Sequence, residues 1–288
     1  MKKTVLVIPL NDPEAIMIYE IAKGLGIQII RSPQPHGADL DKEIDLVPLV
    51  KAGGWERVVI VEMPGLKTEA KLRKLGVEVV IVDHHHYTGI ERAHDKKGKS
   101  LPSSLEQFLK LFRVTDAKLA KLGYDPRIVL GIGVMDRGFV WAMQKDGFTE
   151  KEIAATIALQ RTLLKSHGML KDEDRKAAVA RKAWDRRREW NGYQVVEHNT
   201  EVEIRSRVSM IIALEVKKPT SIIFVEKKRG LIYVQESANA MDLFRTFGGF
   251  TFGLDHNWGF RNVPGKKNVS LKDVQRHLSD LARSYVRD

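Results

Sequence analysis

Short β-branched apolar runs alternate with helical periodicities through the first 140 residues. Strands are predicted at 4–8, 26–30, 57–62 and 77–82, and helices at 13–24, 42–52 and 66–75. Gly26, Gly53-Gly54 and Gly76 mark the joins, as glycines that end helices commonly do. This alternation is the pattern of βαβ units and a parallel sheet. A further helix is expected over 103–113, with a serine cap. The apolar segment Ile128 to Val134 then leads into Met135-Asp136-Arg137-Gly138 and is read with the strand ends.

From about 149 to 190 the pattern is helical and highly charged, ending in Trp184-Asp185-Arg186-Arg187-Arg188-Glu189-Trp190 before Asn191-Gly192. Beyond it a helix is expected at 201–216, strands at 220–226 and 231–236, and a last helix at 270–286. Glycine and aromatic residues concentrate in Phe247 to Phe260. The fold class is therefore α/β: a parallel-sheet N-terminal domain (1–148), a helical connector (149–192) and a smaller mixed α/β C-terminal domain (193–288).

Composition narrows the function classes. The chain has 288 residues, 43% hydrophobic and 30% charged, enough for a proper core in a soluble protein. Its formal net charge of +11 favours polyanionic partners, although a basic surface also accompanies adaptation to heat. There are no cysteines, which excludes disulfides and thiolate metal sites and fits a cytoplasmic protein. The apolar run at 4–10 is too short for a secretion signal, and no segment approaches the roughly 20 apolar residues of a membrane span.

The chemistry gathers at strand ends. Asp12-Pro13-Glu14 follows the first strand, Glu62 ends the third, Asp83-His84-His85-His86 follows the fourth, and Asp136 follows the later apolar run. Carboxyl ends of parallel strands share one edge, where ligands of open α/β sheets bind. Carboxylates brought together there need a proton or a cation, and carboxylate with imidazole suits divalent metals. Each piece also has a plainer explanation. Asp12-Pro13-Glu14 is a good helix start, Glu62 fits a solvated strand end, and Asp136 fits a helix cap.

Taken together, Asp12-x-Glu14, Glu62, Asp83-His84-His85 and Asp136 resemble the four motifs of the DHH phosphoesterase superfamily, in its RecJ-like and nanoRNase-like branches. Pro102-Ser103-Ser104-Leu105-Glu106 resembles the helix start after the DHH motif. The glycine-rich C-terminal segment is similar, more loosely, to the DHH-associated domain. The resemblance implies two divalent ions, most often manganese, with one ion or magnesium as variants. Glu62 would bridge, Glu14, His84 and Asp136 would complete one metal, and Asp12 would serve the other. His85 would face the substrate phosphate, and Asp83 would orient the imidazoles. Gly248, Gly249 and His256 would contact substrate. The implied reaction is hydrolysis of a phosphodiester in a small nucleotide or short single-stranded oligonucleotide, with no membrane partner and a homodimer left open.

This sequence also departs from the family pattern. Ile8 stands where a histidine is usual, Glu14 and Glu62 stand where aspartate is usual, and Phe250 takes the place of the histidine after Gly248-Gly249. These departures define a second reading, a non-catalytic relative that binds nucleotide or nucleic acid. Two basic groups stay open between ligand contacts and solvated surface: Trp184 to Trp190 with its arginines, and Arg205, Arg207, Lys227, Lys228 and Arg229.

Overall fold

The computed structural model describes residues 2–171, 173–253 and 255–284. It divides into two compact units, residues 1–85 with 90–170, and residues 86–89 with 171–288. The expected α/β class holds: one unit carries a parallel sheet and the other a mixed one. The division near residue 170 falls within the stretch read as a connector, so its first helix lies in one unit and its second helix in the other.

In the first unit, β1 (Thr4–Pro9), β2 (Gln28–Ser32), β3 (Arg57–Val61) and β4 (Glu78–Val82) form a parallel sheet in the order β2-β1-β3-β4. Alternate side chains of β1 point to opposite faces. Leu6 and Ile8 enter one apolar cluster with Ile16 and Phe108; Val5 and Val7 enter another with Val50 and Leu72. Helices therefore cover both faces. α1 (Pro13–Gly24) lies on the first side, and α2 (Leu46–Gly53) and α3 (Leu66–Lys74) on the second. Helix α2 starts later than periodicity predicts, after a 3-10 turn at Leu40–Lys42. The reason is Pro48: a helix running from 42 would bury it mid-helix, where it has no N–H to donate.

A two-residue strand at His86–Tyr87 (β5) belongs to the second unit, and one at Ile90–Glu91 (β6) to the first. The first unit then adds α4 (Ser104–Leu111), α5 (Asp116–Lys121), α6 (Pro126–Lys145) and α7 (Glu150–Ser166). The strand-end reading of Asp136 is corrected here, because Asp136 lies inside α6. Asp125 caps that helix by accepting from Arg127 N at 2.8 Å, and Pro126 opens it. A short apolar run cannot by itself distinguish a buried helix from a strand. The α6 backbone leaves helical geometry at Gly138 and Phe139, just past Asp136.

The second unit begins with α8 (Glu173–Asp185). The expected helix to 190 stops there, since Arg188–Trp190 (β7) pairs antiparallel with β8 (Tyr193–His198). α9 starts only at Arg205 (Arg205–Ile211) and passes into a π turn at Ile212–Val216. β9 (Ile222–Glu226), β10 (Leu231–Gln235), α10 (Ala240–Phe247), β11 (Phe250–Phe252), β12 (Asn257–Arg261) and α11 (Leu271–Ser284) complete it. Residues 285 and 286 of the last predicted helix lie outside the described residues. Strands of this unit run in the order β5-β11-β12-β10-β9-β8-β7, and β8 with β9 is the parallel pair. One face is apolar, with Ile223, Ile232, Val234 and Trp258 packed with Leu243, Val274 and Leu278 from the helices.

Candidate metal centre

In the first unit the strand order reverses between β1 and β3, because β2 lies on one side of β1 and β3 on the other. Such a switch point leaves a crevice at the carboxyl ends of the strands. Asp12 and Glu14 follow β1, Glu62 follows β3, and Asp83-His84-His85 follows β4, so three separated sequence segments meet there. Glu62 adopts φ 48°, a left-handed conformation that costs energy for a residue other than glycine. The strain fits a residue whose direction is set by its surroundings: Glu62 N still donates to Val82 O at 3.0 Å.

Three carboxylates converge on one imidazole nitrogen. His84 Nε2 lies 3.0 Å from Asp136 Oδ2, 3.3 Å from Glu62 Oε1 and 3.7 Å from Glu14 Oε2. The His84 side chain is 4% exposed and that of Glu14 1%. One N–H can satisfy one acceptor, and the distances give it to Asp136. Glu14 Oε2 and Glu62 Oε1 are then buried acceptors without a hydrogen bond among the described residues. The other Glu14 oxygen, Oε1, accepts from Leu105 N at 2.9 Å at the start of α4. There it joins a capping box between Ser103 and Glu106, so α4 presents its positive end to this glutamate.

The supporting residues are as ordered. Asp83 is 2% exposed, and its Oδ1 accepts from His84 N (2.8 Å), His85 N (3.1 Å) and His85 Nδ1 (2.9 Å). Gln107 Nε2 donates to the Asp83 carbonyl at 2.8 Å. Asp12 caps α1 by accepting from Ala15 N at 2.8 Å. Gly133 lets α6 approach: a Cβ there would meet Ser103 Oγ at 2.3 Å and Glu14 Oε1 at 3.3 Å.

The electrostatics follow from this crowding. Burial, then the charges of Glu62 and Asp136, push the Asp12 carboxyl well above its ordinary range. Burial and Asp136 do the same to Glu14. Glu62 goes the other way: burial opposes its charge, but the imidazoles of His84 and His85 outweigh it and lower its pKa. Burial also opposes a charge on His84, and the contacts with Asp136, Glu14 and Glu62 overcome it and raise the pKa. The cluster is short of positive charge, since three carboxylates converge on the one ring nitrogen of His84.

Sequence reasoning named every residue of this group. One donor atom each from Glu62, His84, His85 and Asp136 fall within 4.8 Å of one another, a spacing that suits a divalent cation. Glu14 stands 3.7 Å from His84, and Asp12 lies within electrostatic reach of Glu62, Asp136 and His84. The geometry brings His85 in with the donors, whereas the sequence placed it toward substrate. The donor set fits a metal, because two buried carboxylate oxygens have no hydrogen-bond partner among the described residues. Sequence reasoning passed over Gln107 and Gly133, whose roles depend on which helices meet. Ile8, at the position of the missing histidine, is fully buried in the apolar cluster.

The three residues expected to touch substrate lie in the second unit, and structural demands account for two of them. Gly248 and Gly249 have φ of 74° and 93°. A Cβ on Gly249 would sit 2.2 Å from the Gly259 carbonyl oxygen, and Thr88 Oγ1 exchanges hydrogen bonds with the Gly249 backbone at 2.9 Å in both directions. His256 is exposed in the turn between β11 and β12, with its carbonyl accepting from Ser237 N at 2.9 Å.

No protein-family model matches the sequence, and no curated protein matches it either. Among solved structures, the chain is similar to an exonuclease RecJ bound to manganese, at 15% identity and a TM-score of 0.45, over 99% of this chain and 90% of that one. It is also similar to the pGpG-specific phosphodiesterase PggH from Vibrio cholerae, at 10% identity and a TM-score of 0.44, over 99% of both chains. A third similar structure is RecJ from Thermus thermophilus in complex with Mg2+, at 14% identity and a TM-score of 0.47, over 97% of this chain and 50% of that one.

Proposed function

We propose that this chain is a DHH-type metal-dependent phosphoesterase that hydrolyses a phosphodiester of a small nucleotide or short single-stranded oligonucleotide. The observation that carries this reading is the convergence of Glu14, Glu62 and Asp136 on a single nitrogen of His84, with two carboxylate oxygens unsatisfied. Buried carboxylates in excess of their cations call for a metal, and this one sits where an α/β sheet binds ligands. Glu14, Glu62, His84 and Asp136 would hold a first divalent ion, manganese or magnesium, and Asp12 with Glu62 would hold a second. Such an ion polarises a phosphoryl oxygen and makes a water nucleophilic at neutral pH.

The chain's own side chains do the rest. Asp83 accepts the Nδ1 proton of His85, which fixes the tautomer and leaves Nε2 as the basic nitrogen. His85 in that state would take a proton from the attacking water and, as the imidazolium, return it to the leaving-group oxygen, which needs one as its bond to phosphorus breaks. Glu14, tied to the α4 N-terminus through Leu105, keeps one oxygen for the cluster. The excess of positive charge over the whole chain, +11, suits an anionic substrate.

One observation favours the non-catalytic reading. Ile8 fills its place in the core completely, so the end of β1 supplies one donor fewer. Manganese titration with a chromogenic phosphodiester and two- to five-residue oligonucleotides separates the two. Turnover abolished by His84→Ala and by Glu62→Gln is expected. Tight ligand binding without turnover under any divalent metal would establish the binder instead.

A further inference from the structure

On the sheet of the second unit, the face opposite Ile232, Val234 and Trp258 carries a row of rings. Tyr233 pairs with Gly259, and Gly259 pairs with Phe250, so the three lie side by side on neighbouring strands. Phe252, two residues along β11, shares their face. Tyr233 and Phe250 meet edge to face at 6.1 Å, Tyr233 and Phe252 at 6.3 Å, and the Phe250 and Phe252 rings are 6.0 Å apart at 34°. Arg205 lies over them, its guanidinium carbon 4.5 Å from the Phe252 centroid and 5.0 Å from that of Tyr233. Arg205, Phe250 and Phe252 remain partly exposed.

The charges around this row are unequally shared. Arg207 pairs with Glu203 at 2.9 Å, and Arg229 pairs with the fully buried Glu226. Arg205 makes no close ion pair or hydrogen bond among the described residues and shares the charge of Glu203 with Arg207, so three guanidinium groups answer two carboxylates. Covering a bare glycine explains two of the rings, since a Cβ on Gly259 would meet Phe250 Cζ at 2.5 Å and Tyr233 Cδ1 at 2.9 Å. It does not explain Phe252, which stands opposite Asn257, or an arginine held on its ring without a close ion pair among the described residues.

A ligand that satisfies both halves is flat on one side and anionic on the other. We propose that Phe250, Phe252 and Arg205 form a seat for one nucleotide of a single strand, the base lying against the rings and its phosphate taken by the guanidinium. This inference rests on the phosphoesterase reading for its ligand class and adds what reads the base. Stacking on an aromatic ring tolerates every base, since each has a π face, so the seat gives affinity for single strands without sequence preference. Arginine held on an aromatic face keeps its five in-plane donors for phosphate.

The test uses the full chain in EDTA, so that binding is read without metal or turnover. The probes are a single-stranded trinucleotide with a central 2-aminopurine and its counterpart abasic at that position. The wild-type protein should quench 2-aminopurine emission and bind the base-bearing strand at least tenfold more tightly than the abasic one. Phe252→Leu and Phe250→Leu should each weaken the base-bearing strand by about 5- to 100-fold, the range stacking typically gives, with little change for the abasic strand. Phe252→Tyr should restore binding. Arg205→Met should weaken both strands and flatten the salt dependence. Equal binding of the two strands, or leucine variants that bind like wild type while melting normally, would overturn the seat. Manganese-dependent hydrolysis of a chromogenic phosphodiester by the wild-type protein is read separately. If it succeeds while base dependence is absent, the seat alone fails; if it fails while base dependence is present, the catalytic reading alone fails.

Discussion

In the first unit three carboxylates share one nitrogen of His84, whereas in the second the carboxylates of Glu203 and Glu226 face three arginines, Arg205, Arg207 and Arg229. The same residue types thus leave opposite deficits. One cluster lacks positive charge at a mostly buried site. The other carries a spare cation at a half-exposed aromatic surface. Burying a charge is costly unless it is paired, so an unbalanced cluster points to what is missing from it. The first calls for a cation and the second for an anion with a flat face.

The largest effect should come from deepening the first deficit. His84→Ala leaves Glu14, Glu62 and Asp136 facing one another without their imidazole, and metal-free protein should lose roughly 3–5 kcal/mol, read by denaturant unfolding. A loss under 1 kcal/mol would mean that these carboxylates do not depend on His84. The counterpart in the second unit is Arg229→Met, which strands the fully buried Glu226. The partial compensation left by His198, 3.4 Å from Glu226, should hold this loss to about 2–3 kcal/mol. If removing Arg229 costs nothing, a surplus of cations is not what separates the two regions.

A smaller effect tests the spacing that keeps the first cluster crowded. Gly133→Ala places a methyl 2.3 Å from Ser103 Oγ, which is held in the α4 capping box and is not free to swing away. The clash should outweigh the helix propensity gained, for a net loss of about 1–2 kcal/mol in thermal or denaturant unfolding. The smallest effect belongs to Glu78, an exposed acid with two cations, Lys2 and Arg57. Those partners lower its pKa to about 2. A lowered carboxylate stabilises the fold above its unfolded value, and that contribution disappears as pH falls toward about 2. Glu78→Gln should therefore slightly reduce the loss of stability between pH 5 and pH 2, and leave neutral-pH stability nearly unchanged because solvent screens the pair.

The strands of the first unit and the residues of the candidate metal group were legible because both are local. Val79 to Val82 is β-branched, is followed by Asp83-His84-His85, and reads the same way in isolation as in the fold. Asp136 was legible as a member of the candidate group but not as part of a helix, because the run before it is apolar on every side that α1, α4 and α7 could cover. Long-range contacts left no trace in the sequence. Glu14 meets Leu105 N across 91 residues, and Tyr233, Gly259 and Phe250 fall into one row only through strand register. The glycine pair at 248 and 249 was noticed for a ligand, while its left-handed backbone and the approach of Gly259 give it a structural cause. Arg188–Trp190 read as helix because its charges resemble those of α8, yet it pairs with β8 through backbone groups that carry no sequence signal.

The central claim is that the His84 cluster is a divalent-metal site. Calorimetric titration of manganese into metal-free protein tests it most directly, alongside Glu62→Gln and Asp136→Asn. The account predicts saturable binding at the wild-type protein, with proton release as the ion displaces protons from the ligands, and at least a tenfold loss of affinity in each variant. Absence of saturable binding, or variants that bind manganese as well as wild type, would contradict it.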